Sequence, residues 1–313
     1  MQFDNNSLPY HIPALLPQSL QALDIKPGGI YVDATFGGGG HSRAIVERLS
    51  REGHLYSFDQ DREAVERAFT DERFTIIHGN FRFLSNFLRF YGVRGKVDGI
   101  LADLGVSFHH FDDPERGFSF RADGPLDMRM NQTARLTAAE LLNTYPEEKI
   151  AAILRDYGEL KQARRIAHAI ALKRADRQLK TTSQLLETIA PFIDPRQEKK
   201  ELAMVFQALR IEVNGELDAL NSLLSQSLES LGQGGRLAII TYHSLEDRLV
   251  KNFMKTGTFS GERRTDFFGR DLSPFRLLTS KPIVPDDEET AANPRSRSAK
   301  LRVAEKINDK TNG

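Results

Sequence analysis

Residues 30–42 read Ile30-Tyr-Val-Asp-Ala-Thr-Phe-Gly-Gly-Gly-Gly-His-Ser42, and the fold class follows from them. A short apolar run ending in an acid, four glycines, and a helix-compatible segment from Ser42 to Leu49 make a strand, a tight turn and a helix. The unit recurs. Leu55-Tyr-Ser-Phe-Asp59 precedes a helical stretch near Arg62 to Ala68, and Phe74-Thr-Ile-Ile-His78 precedes one near Phe83 to Phe90. Val97-Asp-Gly-Ile-Leu-Ala-Asp103 adds a further strand. Strands that alternate with helices pair in parallel through right-handed crossovers, which predicts an open α/β sheet that takes ligands beyond the carboxyl ends of its strands.

After Asp112 the rhythm changes: Pro114 to Asn131 is turn-rich, and the chain to about Gly215 reads as helices without intervening strands. The earlier pattern resumes with a helix over Leu217 to Leu231, a strand over Gly235 to His243 and a helix to Lys255. The expected organisation is a discontinuous α/β domain, residues 1–112 and 216–313, split by an inserted all-helical domain, residues 113–215. A long polar connection, Thr256 to Ser298, precedes a final strand-like segment, Lys300 to Ala304. Long connections of this kind are more often functional or mobile than structural.

With 313 residues and 40% hydrophobic content the chain can bury a sizeable core. It contains neither cysteine nor tryptophan, so disulfides, thiolate metal sites and thiol nucleophiles are excluded. Met1 to Tyr10 lacks the charged start and apolar run of a signal peptide, and no stretch approaches the ~20 apolar residues of a membrane span. A cytoplasmic protein with no membrane contact is expected. Basic and acidic residues balance at 43 each, so bulk charge is no argument for a nucleic-acid partner. From Lys161 to Lys180, however, seven Lys or Arg stand against one acid, Asp176. That segment either faces phosphates or is a solvated helix face.

Glycines at a strand-to-helix turn let the backbone approach a ligand closely. The loop Gly37 to Gly40 lacks the third glycine of the dinucleotide fingerprint G-x-G-x-x-G, which disfavours a nicotinamide cofactor. Asp59 ends the second strand about 20 residues later, where a carboxylate can accept both ribose hydroxyls. The competing reading makes Gly37 to Gly40 a flexible turn and gives Asp59, followed by Asp61, only the capping of the next helix. Gly79-Asn80-Phe81 follows the third strand, where an aromatic ring and backbone amides can bracket an adenine, although a lone Phe81 also suits the core.

Together with Leu101-Ala-Asp103-Leu-Gly-Val-Ser107, these residues resemble the RsmH (MraW) family of bacterial rRNA cytosine-N4 methyltransferases. The resemblance extends through Tyr10 to Leu16, Arg116 to Met130, Arg210 to Asn214, His243-Ser-Leu-Glu-Asp-Arg248 and Asn293 to Ser298, nearly the whole chain. It implies a class I (Rossmann-like) methyltransferase sheet with a helical insert, S-adenosylmethionine as methyl donor, no metal, and as acceptor a cytidine in the decoding region of 16S rRNA in the small ribosomal subunit. Carried over position by position, the cofactor contacts are Gly39, Gly40, His41, Asp59, Phe81, Asp103 and His110. At the last of these the chain reads Ser107-Phe-His-His110, where the family commonly has a serine after the first residue and a glutamine in the last place. A homodimer is compatible with this reading, and a non-catalytic rRNA-binding assembly factor that kept the fold is its alternative.

S-adenosylmethionine already carries an activated methyl group, so the protein must chiefly align the acceptor amine and exclude water. Cytosine N4 is a poor nucleophile, and an acceptor for an N4 hydrogen returns electron density to it. Asp103 is the candidate catalytic residue for that task, or else only contacts the cofactor or caps the loop after it. Many amino-methylating enzymes have Asn or Asp before Pro-Pro and an aromatic; this chain has Asp103-Leu-Gly-Val. Ser244 with Asp247 has capping-box spacing, and His243 and Arg248 can also serve the target nucleotide. Arg121, Arg129, Lys161 to Lys180 and the basic, flexible Asn293 to Lys300 are candidate RNA contacts.

Overall fold

The structure is a computed structural model that describes residues 13–105 and 113–307. The chain splits into two compact units, Met1–Gly105 together with Asp218–Gly313, and Val106–Leu217; the expected insert, 113–215, lies inside the second. In the first unit the elements run α1 (Leu16–Leu23), β1 (Ile30–Asp33), α2 (Gly40–Val46), β2 (His54–Asp59), α3 (Arg62–Glu66), β3 (Phe74–His78), α4 (Leu84–Phe90) and β4 (Val97–Asp103). In the second unit come α5 (Ala138–Thr144), α6 (Glu147–Asp156), α7 (Ala163–Asp176), α8 (Thr182–Ile189) and α9 (Glu198–Asn214). Across the boundary run α10 (Glu216–Ser230), then β5 (Leu231–Thr241), α11 (Ser244–Thr256), β6 (Phe275–Leu277), α12 (Asp287–Ala292) and β7 (Lys300–Lys306).

The strands form one seven-stranded sheet in the order β3-β2-β1-β4-β5-β7-β6. Strands β1 to β5 pair in parallel, and β7 runs antiparallel between β5 and β6. This is the class I, Rossmann-like methyltransferase sheet. The parallel strands are nearly continuous apolar runs because both faces are covered, and alternate side chains serve opposite cores. Val32, Ile100, Ala102, Leu237 and Ile239 enter the core under α10 and α11. Tyr31, Leu101, Ala238 and Ile240 enter the core on the other face, with α1 and α2. Strand order reverses between β1 and β4, so the carboxyl ends of β1, β2 and β4 border the topological switch point.

Two expectations are corrected. Strand β5 begins at Leu231, not Gly235, because Leu231 pairs with Val97 and the glycine-rich stretch is absorbed as a register shift before Gly99 meets Arg236. The connection Thr256 to Ser298 is not a structureless loop, since it supplies β6 and α12. Glu289 of α12 accepts a hydrogen bond from the Leu15 N–H at 2.7 Å, which fixes the start of α1.

The second unit has its own core, into which α7 points Ala163, Ile166, Ala167 and Ile170 at helical spacing. Its polar scaffold uses two of the long strings quoted above. The buried Arg116 donates to the Arg129 carbonyl at 3.0 Å, while Asn214 accepts from Met130 N–H and donates to the Met128 carbonyl, both at 2.8 Å. These bonds hold Met128 in the left-handed region, at φ 61°.

Candidate functional site

Three carboxylates stand at the carboxyl ends of β1, β2 and β4: Asp33, Asp59 and Asp103. Asp33 is fully buried; its Oδ2 accepts from Ser42 Oγ at 2.6 Å and its Oδ1 from Thr35 N–H at 3.1 Å. Burial raises its pKa to about 6, against the favourable pull of His41 and the Ser42 hydroxyl. Thr35 Oγ1 in turn accepts the Asp103 N–H at 2.7 Å, so the turn after β1 is tied to the end of β4.

Asp59 receives Gly37 N–H on Oδ2 and Asp61 N–H on Oδ1, both at 2.8 Å. Its carboxylate is therefore locked against the glycine loop. Capping of α3 falls to Asp61, which accepts from Glu63 N–H at 3.0 Å. The four glycines divide by environment. A Cβ on Gly39 would meet the Phe36 ring and one on Gly40 the Pro13 ring, so those two are demanded by packing inside the loop. At Gly37, with φ +53°, and at Gly38 a Cβ would meet nothing within 4 Å among the described residues, which leaves this face of the loop open.

His41 is buried, with Nδ1 4.0 Å from Asp103 Oδ2 and no hydrogen-bond partner for Nε2 among the described residues. Asp103 keeps 18% side-chain exposure. Burial raises its pKa, opposed by His41, the Gly105 N–H and the Tyr242 hydroxyl. Tyr242, the first residue after β5, has its phenol pushed up by burial and by Asp103. Phe81 follows β3 and is partly buried against the core, beside Asn80, which donates to Gln60 Oε1 at 2.8 Å. His110, Ser107 and Tyr10 to Ile12 lie outside the described residues.

The structure thus brings Gly37 to His41, Asp59 and Asp103 to one end of the sheet, and adds Asp33 and Tyr242, which sequence reasoning did not single out. The signal for Asp33 was present, as the acid at which the first strand stops; nothing local marks Tyr242. Other expectations are corrected. Ser244 is not the cap of α11: the cap position is His243, without a side-chain capping bond, and Asp247 pairs instead with Arg302 at 2.6 Å. Glu246 accepts the Tyr242 N–H at 2.9 Å, and its Oε1 lies 3.0 Å from His243 Nε2 without hydrogen-bond alignment. Arg129 is committed to Asp127 through two bonds of 2.8 and 2.7 Å and to the Ala134 carbonyl, and Arg174 to the carbonyls of Leu142 and Tyr145, so both are scaffold. Arg121, Arg164, Arg165, Lys173, Arg177 and Lys180 are exposed. Asn293 to Lys300 is no flexible tail: Pro294–Ser298 is a short 3-10 helix with Ser296 buried.

A class I sheet with an open glycine loop and carboxylates at its switch point has the arrangement with which open α/β sheets take ligands beyond their strand ends. The chain belongs to the MraW methylase family, whose sequence profile matches residues 9–307. It is 58% identical over 298 residues, 95% of this chain and 98% of the relative, to ribosomal RNA small subunit methyltransferase H of Parabacteroides distasonis. Proteins of the same name from Phocaeicola vulgatus (59% identity over 297 residues, 95% and 97% coverage) and Bacteroides thetaiotaomicron (56% over 303 residues, 97% and 99%) are similarly matched.

Proposed function

We propose that this chain transfers a methyl group from S-adenosylmethionine to the exocyclic N4 of a cytidine in the decoding region of 16S rRNA. The observation that carries the reading is the Asp59 carboxylate, held by Gly37 N–H at 2.8 Å beside a loop face where a Cβ at Gly37 or Gly38 would find no neighbour among the described residues. Family membership and the names of the relatives support the reaction class and the rRNA substrate.

The residues fit the donor. Asp59 offers a carboxylate to a ribose, Gly37 and Gly38 admit close approach, Phe81 offers a ring to the adenine, and the buried His41 Nε2 has no hydrogen-bond partner among the described residues. When bound, S-adenosylmethionine supplies a methyl group activated on a sulfonium. The protein's work is then alignment and proton handling. Asp103 accepts a hydrogen bond from an N4 hydrogen and takes that proton as N4 acquires its new bond; its raised pKa suits it to hold the proton. The helical unit carries the exposed cations of α7 for rRNA phosphates.

Small ribosomal subunits lacking the modification, incubated with the protein and methyl-labelled S-adenosylmethionine and digested to nucleosides, test this directly. Label on N4-methylcytidine is expected. Label on another nucleoside overturns the acceptor, and tight donor binding with no label identifies a non-catalytic rRNA-binding assembly factor instead.

A further inference from the structure

Between α11 and β6 the chain makes a short hairpin that the catalytic reading leaves unused. Its base is anchored twice on Phe253 of α11, by Phe259 with ring centroids 5.1 Å apart and by Phe275 at 6.0 Å. Its tip is a tight turn. Asp266 N–H donates to the Arg270 carbonyl and Gly269 N–H to the Asp266 carbonyl, both at 3.0 Å, while Asp266 Oδ1 accepts from Phe268 N–H and Arg270 N–H at 2.9 and 2.8 Å. Gly269 supplies the φ of +79° that closes it.

This ordered tip carries Phe267 at 97% and Phe268 at 79% exposure, their rings 5.6 Å apart and edge to face. Burying a phenylalanine side chain stabilises a protein, so two adjacent exposed rings on a hydrogen-bonded turn forgo that gain and mark a contact surface. Arg263, Arg264 and Arg270 are exposed, and none pairs with a carboxylate among the described residues. Arg270 instead lies 5.8 Å from the Phe268 centroid. Of the nearby acids, Asp266 is engaged by the turn's N–H groups and Asp271 by Ser273 N–H, leaving Glu262. Aromatic faces flanked by unpaired guanidinium groups are suited to unstacked bases and their phosphates.

We propose that the Phe267–Phe268 turn is a stacking platform for a single-stranded segment of RNA, remote from the reacting nucleotide. The register places the base of the turn away from the reacting end of the sheet. Phe275 pairs with Lys306 and Glu305 with Arg236, which faces Gly99, whereas Asp103 lies four residues further along β4, about 13 Å at 3.3 Å per residue. The platform rests on the rRNA substrate proposed above and adds a second anchor on that RNA.

The test uses the full-length protein and a fluorescein-labelled, mixed-sequence single-stranded RNA of about 12 nucleotides, with binding read by anisotropy. Phe267→Ala and Phe268→Ala are each expected to weaken binding about 5- to 150-fold, with S-adenosylmethionine affinity unchanged. The Tyr variants should retain binding and the Leu variants lose it, since leucine keeps the apolar surface but has no π face. With unmodified small subunits, the Ala variants should raise KM and leave kcat unaltered. Wild-type RNA affinity in the Ala variants, or full retention in the Leu variants, overturns the platform; the former result leaves the exposed rings to an apolar protein contact. Because binding is read without methyl transfer, failure of the platform and failure of the proposed reaction give different results.

Discussion

Asp33→Asn isolates the energetic consequence of burying a carboxylate beneath the glycine loop. Asp33 is fully buried, and its pKa rises from 3.8 to about 6. A raised acid pKa means that the folded chain holds its proton through a range where the unfolded chain has released it. Stability therefore falls as pH rises from about 4 to about 6, and the loss is complete above that window. A shift of about 2 units at 1.36 kcal/mol each corresponds to about 3 kcal/mol. Asparagine keeps the shape, accepting from Thr35 N–H while Ser42 retains its 2.8 Å contact with Ser57, and it does not titrate. Urea unfolding of both proteins, followed by far-UV circular dichroism at pH 4, 5, 6 and 7, gives the assay. The stability difference between variant and parent should move by about 3 kcal/mol in favour of Asn across that range, while the titrations shared by both proteins cancel. A difference that stays flat would mean that Asp33 is as well solvated in the fold as outside it, and the electrostatic account of the loop would be wrong.

Four further outcomes are expected. S-adenosylmethionine should bind more tightly as pH rises from 5 to 7, because its sulfonium favours ionised Asp33, whereas the neutral product S-adenosylhomocysteine should show a smaller change; calorimetric pH profiles of equal slope would refute this. Asp59→Ala and Asp103→Ala should each weaken donor binding, and unchanged calorimetric affinity in both would remove the proposed cofactor site. Tyr242→Phe deletes a hydroxyl that lowers the Asp103 pKa, so the acidic limb of the kcat profile should move to higher pH; an unmoved limb separates Tyr242 from the reaction. Asn214→Ala breaks the bonds to Met128 and Met130 and should destabilise the helical unit by about 2 kcal/mol, measured by hydrogen exchange in α9, with protection unaltered if the bonds contribute nothing.

The sheet was legible because parallel strands covered on both faces appear as uninterrupted apolar runs, and because each of β1, β2 and β4 ends on an aspartate. The start of β5 was not, since Gly232 to Gly235 has a turn's composition and joins the ladder only through a register shift against β4. Side-chain commitments were the least legible feature. Arg129 and Arg174 have the composition of an RNA-binding face, yet their guanidinium groups close internal bonds to Asp127 and to the carbonyls of Leu142 and Tyr145. Ser244 and Asp247 have the spacing of a cap, but Arg302, 55 residues away, takes the carboxylate. Spacing reports local geometry, and these partners are set by tertiary contacts.

The site's charge also bears on its ligand. Asp33 and Asp103 are both pushed up chiefly by burial, and a nearby acid adds to each: Asp103 raises Asp33, and Glu246 raises Asp103. A pyrophosphate laid on the glycine loop would add negative charge beside carboxylates that already resist ionisation, and would compete with Asp59 for Gly37 N–H, whose hydrogen bond Asp59 holds at 2.8 Å. A cation at the switch point does the opposite: it lowers the free energy of every ionised carboxylate around it. The same glycine-rich turn that cradles phosphates in dinucleotide-binding sheets is therefore suited here to a ribose and a positively charged sulfur. The distinction lies in the acids at the strand ends and not in the glycines.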